Sequence, residues 1–296
     1  MDSQTKSLGL LGNPVEHSYS PLIHGAFSEL YDDNAAYLSY CVAPNALGDA
    51  VHGAYALGML GLNVTVPYKQ AVIPHLEALD PLAAQIGAVN TLVRCNQGFL
   101  GFNTDLPGLS RAMKSDHVSL YGADVILLGA GGAARAAAFL AAKEGAASLR
   151  ICNRSPEKAT ALSLEINQVT HQEIATALSY SDLLKLEGTK RFLVIQSTNV
   201  GLFPRIDETP ITEERFFEKI HTAYDLIFNP LETKFLRSAK KAGAKTYSGA
   251  KMLLYQAVCS YELWFKHPIE EWAADIVLRQ FLDQLQTKGT QKEDDT

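Results

Sequence analysis

The segment VILLGAGGAAR, residues 125–135, constrains this chain more than any other. Four apolar residues run without alternation from Val125 to Leu128, as a strand buried on both faces requires. Gly129, Gly131 and Ala134 then follow the GxGxx(G/A) spacing. An alanine-rich stretch from Gly132 to Glu144 reads as a helix, with Gly145 at its C-terminal cap. Each small residue serves a separate purpose. Gly129 makes the tight turn, Gly131 lets a pyrophosphate approach the backbone, and Ala134 keeps helix and strand close. The unpaired N–H groups at the helix start would face the phosphates. The competing reading is a glycine turn that only joins strand to helix. The strand–turn–helix setting favours a Rossmann-type dinucleotide-binding domain.

The end of the next strand selects the dinucleotide. An NAD site commonly carries Asp or Glu there to bond the ribose 2′-hydroxyl. Here the position holds Asn153, followed by Arg154, Ser155 and, one turn into the next helix, Lys158. Two cations at a helix N-terminus oppose its dipole unless an anion lies between them. A 2′-phosphate supplies that anion, so NADP(H) is favoured over a merely solvated helix start.

Strands and helices alternate through the remaining chain. Before the glycine turn, strand patterns at 8–12, 37–42 and 62–66 alternate with helices opening at Ser20-Pro21 and running over 46–58. Residues 89–94 and 99–103 flank Asn96-Gln97-Gly98 as a hairpin, giving a mostly parallel sheet with an antiparallel edge. After it come strands at 148–153, 192–197, 224–228 and 245–247, then helices over 249–265 and 269–286. The expected class is α/β: a three-layer substrate domain with a mixed, mostly parallel sheet, beside the Rossmann-type domain. A length of 296 residues fits two such domains, and 47% apolar with 20% charged residues excludes a disordered, collagenous or coiled-coil chain.

The net charge of −6 leaves no basic excess for nucleic acid or an anionic membrane. Any bound anion needs a local site. The four cysteines form no CxxC pair and read as reduced, mostly buried thiols of a cytoplasmic protein. The eight histidines lack metal-binding spacing, so no metal is expected. Neither a signal peptide nor a membrane span is evident.

Four clusters before the glycine turn carry chemistry. Ser18 and Ser20 precede a helix and could hold a carboxylate, although Ser20 as a simple N-cap is the better local reading. Thr65 and Lys69 follow a buried strand. Asn90 opens another, and Asn103, Thr104 and Asp105 end the hairpin and read as the cap of the next helix, Asp105 alone in that role or with a second one. Reduction of a ketone needs a hydride and a proton. Lys69 could give the proton, with Asp105 holding it.

The motifs HSYSP, NVTVPYK, GAVNTL, NTD, GAGGAAR and NRS, in this order, resemble the shikimate dehydrogenase family from about Leu8 to Gln256. The resemblance implies reversible NADP-linked reduction of 3-dehydroshikimate to shikimate, on the way to chorismate and the aromatic amino acids. It implies that Ser18 and Ser20 bind the substrate carboxylate, that Thr65, Asn90 and Asp105 bind ring hydroxyls, and that Lys69 and Asp105 are catalytic. Tyr224 and Gln256 match further substrate positions. Gly129, Ala130, Gly131, Gly132, Ala133, Asn153, Arg154, Ser155, Lys158, Thr198, Gly249 and Met252 match cofactor positions. The family fold implies a discontinuous substrate domain (1–107 and 249–286), a cofactor domain (108–248), a polar tail (287–296) and an active site in the cleft between domains. The chain departs from the family pattern at Leu106, Gln196, Lys234 and Lys251, the last lying where backbone approaches the nicotinamide. A broader quinate/shikimate enzyme using NAD and a non-catalytic dinucleotide-binding paralogue are the alternatives. A monomer or homodimer is expected.

Overall fold

The structure, a computed structural model, describes residues 1–186 and 191–290. The chain divides into two compact units, one formed by Met1–Gly108 together with the chain from Leu254 onward, the other by Leu109–Leu253.

The first unit contains β1 (Lys6–Gly12), α1 (Ser20–Leu30), β2 (Ala35–Cys41), α2 (Leu47–Ala56), β3 (Gly61–Val64), β4 (Ala78–Leu79), α3 (Pro81–Ile86), β5 (Thr91–Arg94), β6 (Phe99–Phe102) and the start of α4 (Asp105–Ser115). Its sheet has the order β2-β1-β3-β5-β6-β4. β1 runs parallel to β2 and β3, whereas β5 is antiparallel to both β3 and β6. The antiparallel strand thus lies inside the sheet and not at its edge, because β6 pairs on its far side, and the short β4 then runs parallel to β6 as the outermost strand. Side chains alternate across β1. Leu8 and Leu10 join Tyr37, Val93 and Trp264 on one face, while Leu11 joins Val51, Leu62, Leu92 and Phe99 on the other.

The second unit contains β7 (Asp124–Leu128), α5 (Gly132–Lys143), β8 (Ser148–Cys152), α6 (Pro156–Thr170), β9 (Ala175–Leu178), α7 (Tyr180–Leu183), β10 (Phe192–Gln196), α8 (Glu214–Phe217), β11 (Ile220–Asp225), α9 (Lys234–Lys241) and β12 (Lys245–Tyr247). All neighbours in the order β12-β11-β10-β7-β8-β9 are parallel. This is the doubly wound arrangement, whose strand order reverses between β7 and β10; ligands of such sheets bind beyond the strand ends at that reversal. Ile126, Leu128, Val194, Phe217 and Phe235 form part of the buried core.

The expected strand at 224–228 lies earlier, at Ile220–Asp225. It ends where the Asp225 carboxylate accepts the Ile227 N–H at 3.0 Å and turns the chain. β4, α3, β9, α7, α8 and α9 are additional; each is two to eight residues long, too short for a sustained periodic pattern. The last helices are α10 (Ala250–Phe265) and α11 (Glu271–Thr290). α11 extends four residues into the expected tail, the rest of which lies outside the described residues. In the first unit it packs on α1, where Tyr19 meets Phe281 edge-on at 5.2 Å. Among the described residues, no helix is long and apolar enough to cross a membrane.

Candidate active site

In the first unit, strand ends bring three of the singled-out side chains together. Lys69 follows β3, and its backbone carbonyl accepts the Val89 N–H at 2.7 Å, which sets it beside Asn90 at the start of β5. Asp105 opens α4 directly after β6. The Lys69 ammonium donates to Asp105 Oδ2 at 2.5 Å, and Asn90 Nδ2 donates to Asp105 Oδ1 at 2.8 Å. The Lys69 side chain is 18% exposed and that of Asp105 6%, so the lysine keeps a path to water while its partner does not. Gln256 joins from α10, its Oε1 lying 3.5 Å from Asn90 Nδ2. That approach depends on Gly108, where a Cβ would come within 2.6 Å of the Gln256 backbone nitrogen.

The helix starts are built differently from the expectation. Ser20 is the first residue of α1 and makes no capping bond; the cap position is Tyr19. Instead, Ser18 Oγ accepts the Ser20 N–H and donates to Ser20 Oγ, both at 3.2 Å, so the two hydroxyls form a pair before the helix. Of the three candidates for the cap of α4, Asn103 takes the bond and Asp105 does not. Asn103 Oδ1 accepts the Leu106 N–H at 3.2 Å, which leaves the Asp105 carboxylate to Lys69. Thr65 is half-buried at the end of β3, with its N–H on the Leu11 carbonyl at 2.9 Å, alongside the loop that carries the serines.

In the second unit, β7 leads into the glycine turn. Gly129 has φ +118°, and a Cβ there would meet Ser197 Oγ at 2.5 Å, so both the left-handed backbone and the close approach of the loop after β10 require glycine. Space above Gly131 is open, since a Cβ would meet nothing within 4 Å. No side chain caps α5, which begins at Gly132 with Ala133 following. Its N-terminus therefore presents backbone N–H groups at the strand reversal. The loop after β10 is held by Gln196, fully buried, whose Oε1 accepts the Thr198 N–H at 2.6 Å. Asn153 donates to the Ser155 carbonyl at 3.0 Å, and no side chain caps α6 at Ser155. Arg154 and Lys158 are exposed and enter no ion pair among the described residues. Together these features fit a dinucleotide with an extra phosphate on its ribose.

Gly249 N–H donates to the Ile227 carbonyl at 2.8 Å, and Met252 is buried. Lys251 turns its ammonium to Asp116 Oδ1 at 2.6 Å and to Ser115 Oγ at 3.1 Å. Tyr224 is fully buried, stacks on Tyr247 at 5.7 Å and donates its hydroxyl proton to Asp116 Oδ2 at 3.0 Å. Sequence reasoning did not anticipate Asp116, and nothing in its local pattern marks it. Of the four cysteines, all free, Cys152 and Cys259 are buried, Cys95 is intermediate and Cys41 is exposed; fewer are buried than expected. Among the described residues, no group of three or more His, Cys, Asp or Glu side chains could hold a metal ion.

Residues 10–92 match the family model for the shikimate dehydrogenase substrate binding domain, and residues 111–200 that for shikimate / quinate 5-dehydrogenase. The shikimate dehydrogenase (NADP(+)) of Moorella thermoacetica is 40% identical over 290 residues, 94% of each chain. A crystal structure of a shikimate dehydrogenase in complex with NADP+ superposes with a TM-score of 0.87 at 34% identity, over 96% of this chain and 97% of that one. The enzyme of Thermus thermophilus, in complex with NADP(H) and shikimate, gives 0.82 at 32% identity, over 93% and 99%.

Proposed function

Since the chain belongs to the family of shikimate dehydrogenases, we propose how its own side chains carry that reaction. The enzyme is an NADP-dependent oxidoreductase that reversibly reduces 3-dehydroshikimate to shikimate, a step in aromatic biosynthesis. The cofactor, when bound, supplies the hydride that reaches the ketone carbon. The protein must then deliver one proton to the oxygen as the C=O becomes C–OH.

Lys69 delivers that proton. The observation that carries this reading is its 2.5 Å contact with Asp105, itself held at 2.8 Å by Asn90. The carboxylate aims the ammonium through a charge-assisted bond, about twice as strong as a neutral one. After transfer, the neutral amine regains a proton through its solvent-facing side; in oxidation it takes the proton from the substrate hydroxyl. Ser18 and Ser20 hold the substrate carboxylate through their paired hydroxyls. Thr65, Asn90, Asp105 and Gln256 hold the ring hydroxyls, which places Asp105 in both substrate binding and proton transfer. Arg154 and Lys158 hold the 2′-phosphate of NADP(H), and Gly129 to Ala133 at the start of α5 hold its pyrophosphate. The four free cysteines support a cytoplasmic setting, where thiols stay reduced.

Lys69 takes the proton of the substrate hydroxyl in oxidation, so Lys69→Ala should slow that reaction about 10²- to 10⁴-fold. Initial rates at saturating shikimate and NADP+ test this. Activity that survives the change would argue against Lys69 as the proton carrier.

A further inference from the structure

Behind Asn90 lies a buried polar chain that the proton transfer itself does not use. Tyr37 on β2 donates its phenol proton to Asn63 Oδ1 at 2.7 Å. That bond fixes the Asn63 amide, so its Nδ2 faces Thr91 Oγ1 at 3.1 Å and Ser260 Oγ at 3.0 Å. The hydroxyls of Thr91, Thr104 and Ser260 form a triangle with sides of 3.1, 2.8 and 3.1 Å. Thr104 reaches Asn90 Oδ1 with its N–H at 2.7 Å and its hydroxyl at 3.1 Å. With its oxygen so occupied, Asn90 turns its Nδ2 to Asp105.

Direction is the informative property of this chain. One path donates toward Asp105 at every link: the Tyr37 phenol to Asn63 Oδ1, Asn63 Nδ2 to the Thr91 hydroxyl, that hydroxyl to Asn90 Oδ1 at 3.3 Å, and Asn90 Nδ2 to the carboxylate. Ser260 sends its own proton to the Gln256 carbonyl at 2.9 Å. Every member is buried, Thr91 and Ser260 completely. Inside a low-dielectric interior, hydrogen bonds polarise their neighbours, and a wrongly oriented amide leaves a donor or acceptor unmet. Burial pushes the Tyr37 phenol well above its usual range, which keeps it a donor, and the neighbouring Ser20 hydroxyl only partly opposes that shift. His24, stacked on Tyr37 at 4.4 Å, is pushed down to about 3 by burial and brings no charge to the chain.

We propose that Tyr37 is a positioning residue for the reaction, its phenol proton setting, through Asn63, the Thr91 hydroxyl and Asn90, the orientation of the donor that holds Asp105 against Lys69. This rests on the reading of Lys69 and Asp105 as the proton-transfer pair. Loss of the phenol oxygen frees the Asn63 amide to flip. Its oxygen would then take the Thr91 hydroxyl proton, which no longer serves Asn90.

Tyr37→Phe removes one oxygen and keeps the ring that packs on His24. Reduction of 3-dehydroshikimate by NADPH under single-turnover conditions separates chemistry from folding, because the amplitude reports the active fraction and the rate constant reports the bound, active protein. The rate constant should fall about two- to tenfold, the range for loss of one buried hydrogen bond, while the KM for 3-dehydroshikimate changes less than about twofold. Thr91→Val, which removes the hydroxyl linking Asn63 to Asn90 and keeps the side-chain shape, should do the same. The double variant should lose about as much as the worse single one, since both interrupt one path. Should Tyr37→Phe not fold, Thr91→Val reads the same quantity alone. A rate constant within about 1.5-fold of the parent's, whatever the amplitude or melting temperature, overturns the proposal, as do strictly multiplicative losses in the double variant. An inactive parent protein, in contrast, contradicts the reading of the site itself.

Discussion

Replacing Lys69 by methionine removes the ammonium and keeps most of the stem. Two costs follow, and the structure separates them. The first is to stability, because Asp105, 6% exposed, loses its cation at 2.5 Å. Breaking a fully buried pair costs about 3–5 kcal/mol. Here the carboxylate retains the Asn90 donor at 2.8 Å and sits in the first turn of α4, where the helix dipole favours a negative charge by about 0.3–1 kcal/mol. The loss should therefore be about 1–3 kcal/mol, within the 5–15 kcal/mol that folded domains commonly hold. The second cost is to the barrier. Loss of a positioned general acid slows a reaction by about 10²- to 10⁴-fold. The activity loss thus exceeds anything the stability loss can cause at room temperature. The assay is the steady-state decrease in reduced nicotinamide absorbance, with a thermal melt of the same sample. kcat should fall at least about a hundredfold, with the KM for 3-dehydroshikimate within a few-fold. Lys69→Arg supplies the control: a guanidinium pairs with Asp105 and restores the melt, yet it does not deprotonate, so oxidation stays slow. A methionine variant within about tenfold of the parent kcat refutes the proton-transfer role.

Arg154→Ala should raise the KM for NADP+ about ten- to a hundredfold, the worth of one hydrogen bond to a charged group, and leave that for NAD+ nearly unchanged. Equal effects on both cofactors would remove the assignment to the 2′-phosphate. Lys251→Ala leaves the Asp116 carboxylate, 10% exposed, with the Tyr224 hydroxyl. Its melt should drop by the equivalent of about 1–2 kcal/mol, and an unchanged melt would make the ion pair incidental. Asp225 is fully buried, and burial pushes its carboxyl up to about 7 despite bonds from Thr233 and Ile227. Unfolded, it titrates near about 3.9, so between those values the folded state binds the extra proton and stability declines as pH rises. Asp225→Asn mimics the protonated form. Its stability relative to the parent should rise by about 2–4 kcal/mol between pH 4 and 8 in urea titrations, and a constant difference would contradict the burial argument.

Local pattern carried much of this molecule. The glycine turn between β7 and α5 announced the doubly wound unit, because tight turn, phosphate approach and helix packing each restrict residue choice at a fixed spacing. Lys69, Asn90 and Asp105 stood out because polar residues interrupt apolar runs at strand ends. What the sequence could not convey is long-range. Ser260 meets Asn63 across 197 positions and Thr91 across 169, and only the docking of α10 on the sheet brings them together. Its one local signal is its position four residues after Gln256, on the same helix face, with its hydroxyl on the Gln256 carbonyl at 2.9 Å. Tyr37 read as an ordinary strand aromatic. The helix starts were only partly legible for a related reason: adjacent residues share capping chemistry, and the bond falls to Ser18 and not Ser20 at one site and to Asn103, one of three candidates, at the other.

The most direct measurement mixes the purified protein with shikimate and NADP+ and follows the absorbance of the reduced nicotinamide, then repeats it with NAD+ and with quinate. NADPH should form rapidly from shikimate and NADP+, with kcat/KM lower for NAD+ and for quinate. No reduced nicotinamide from shikimate and NADP+ would contradict the proposed function, and equal efficiency with quinate and NAD+ would replace it with that of a broader enzyme.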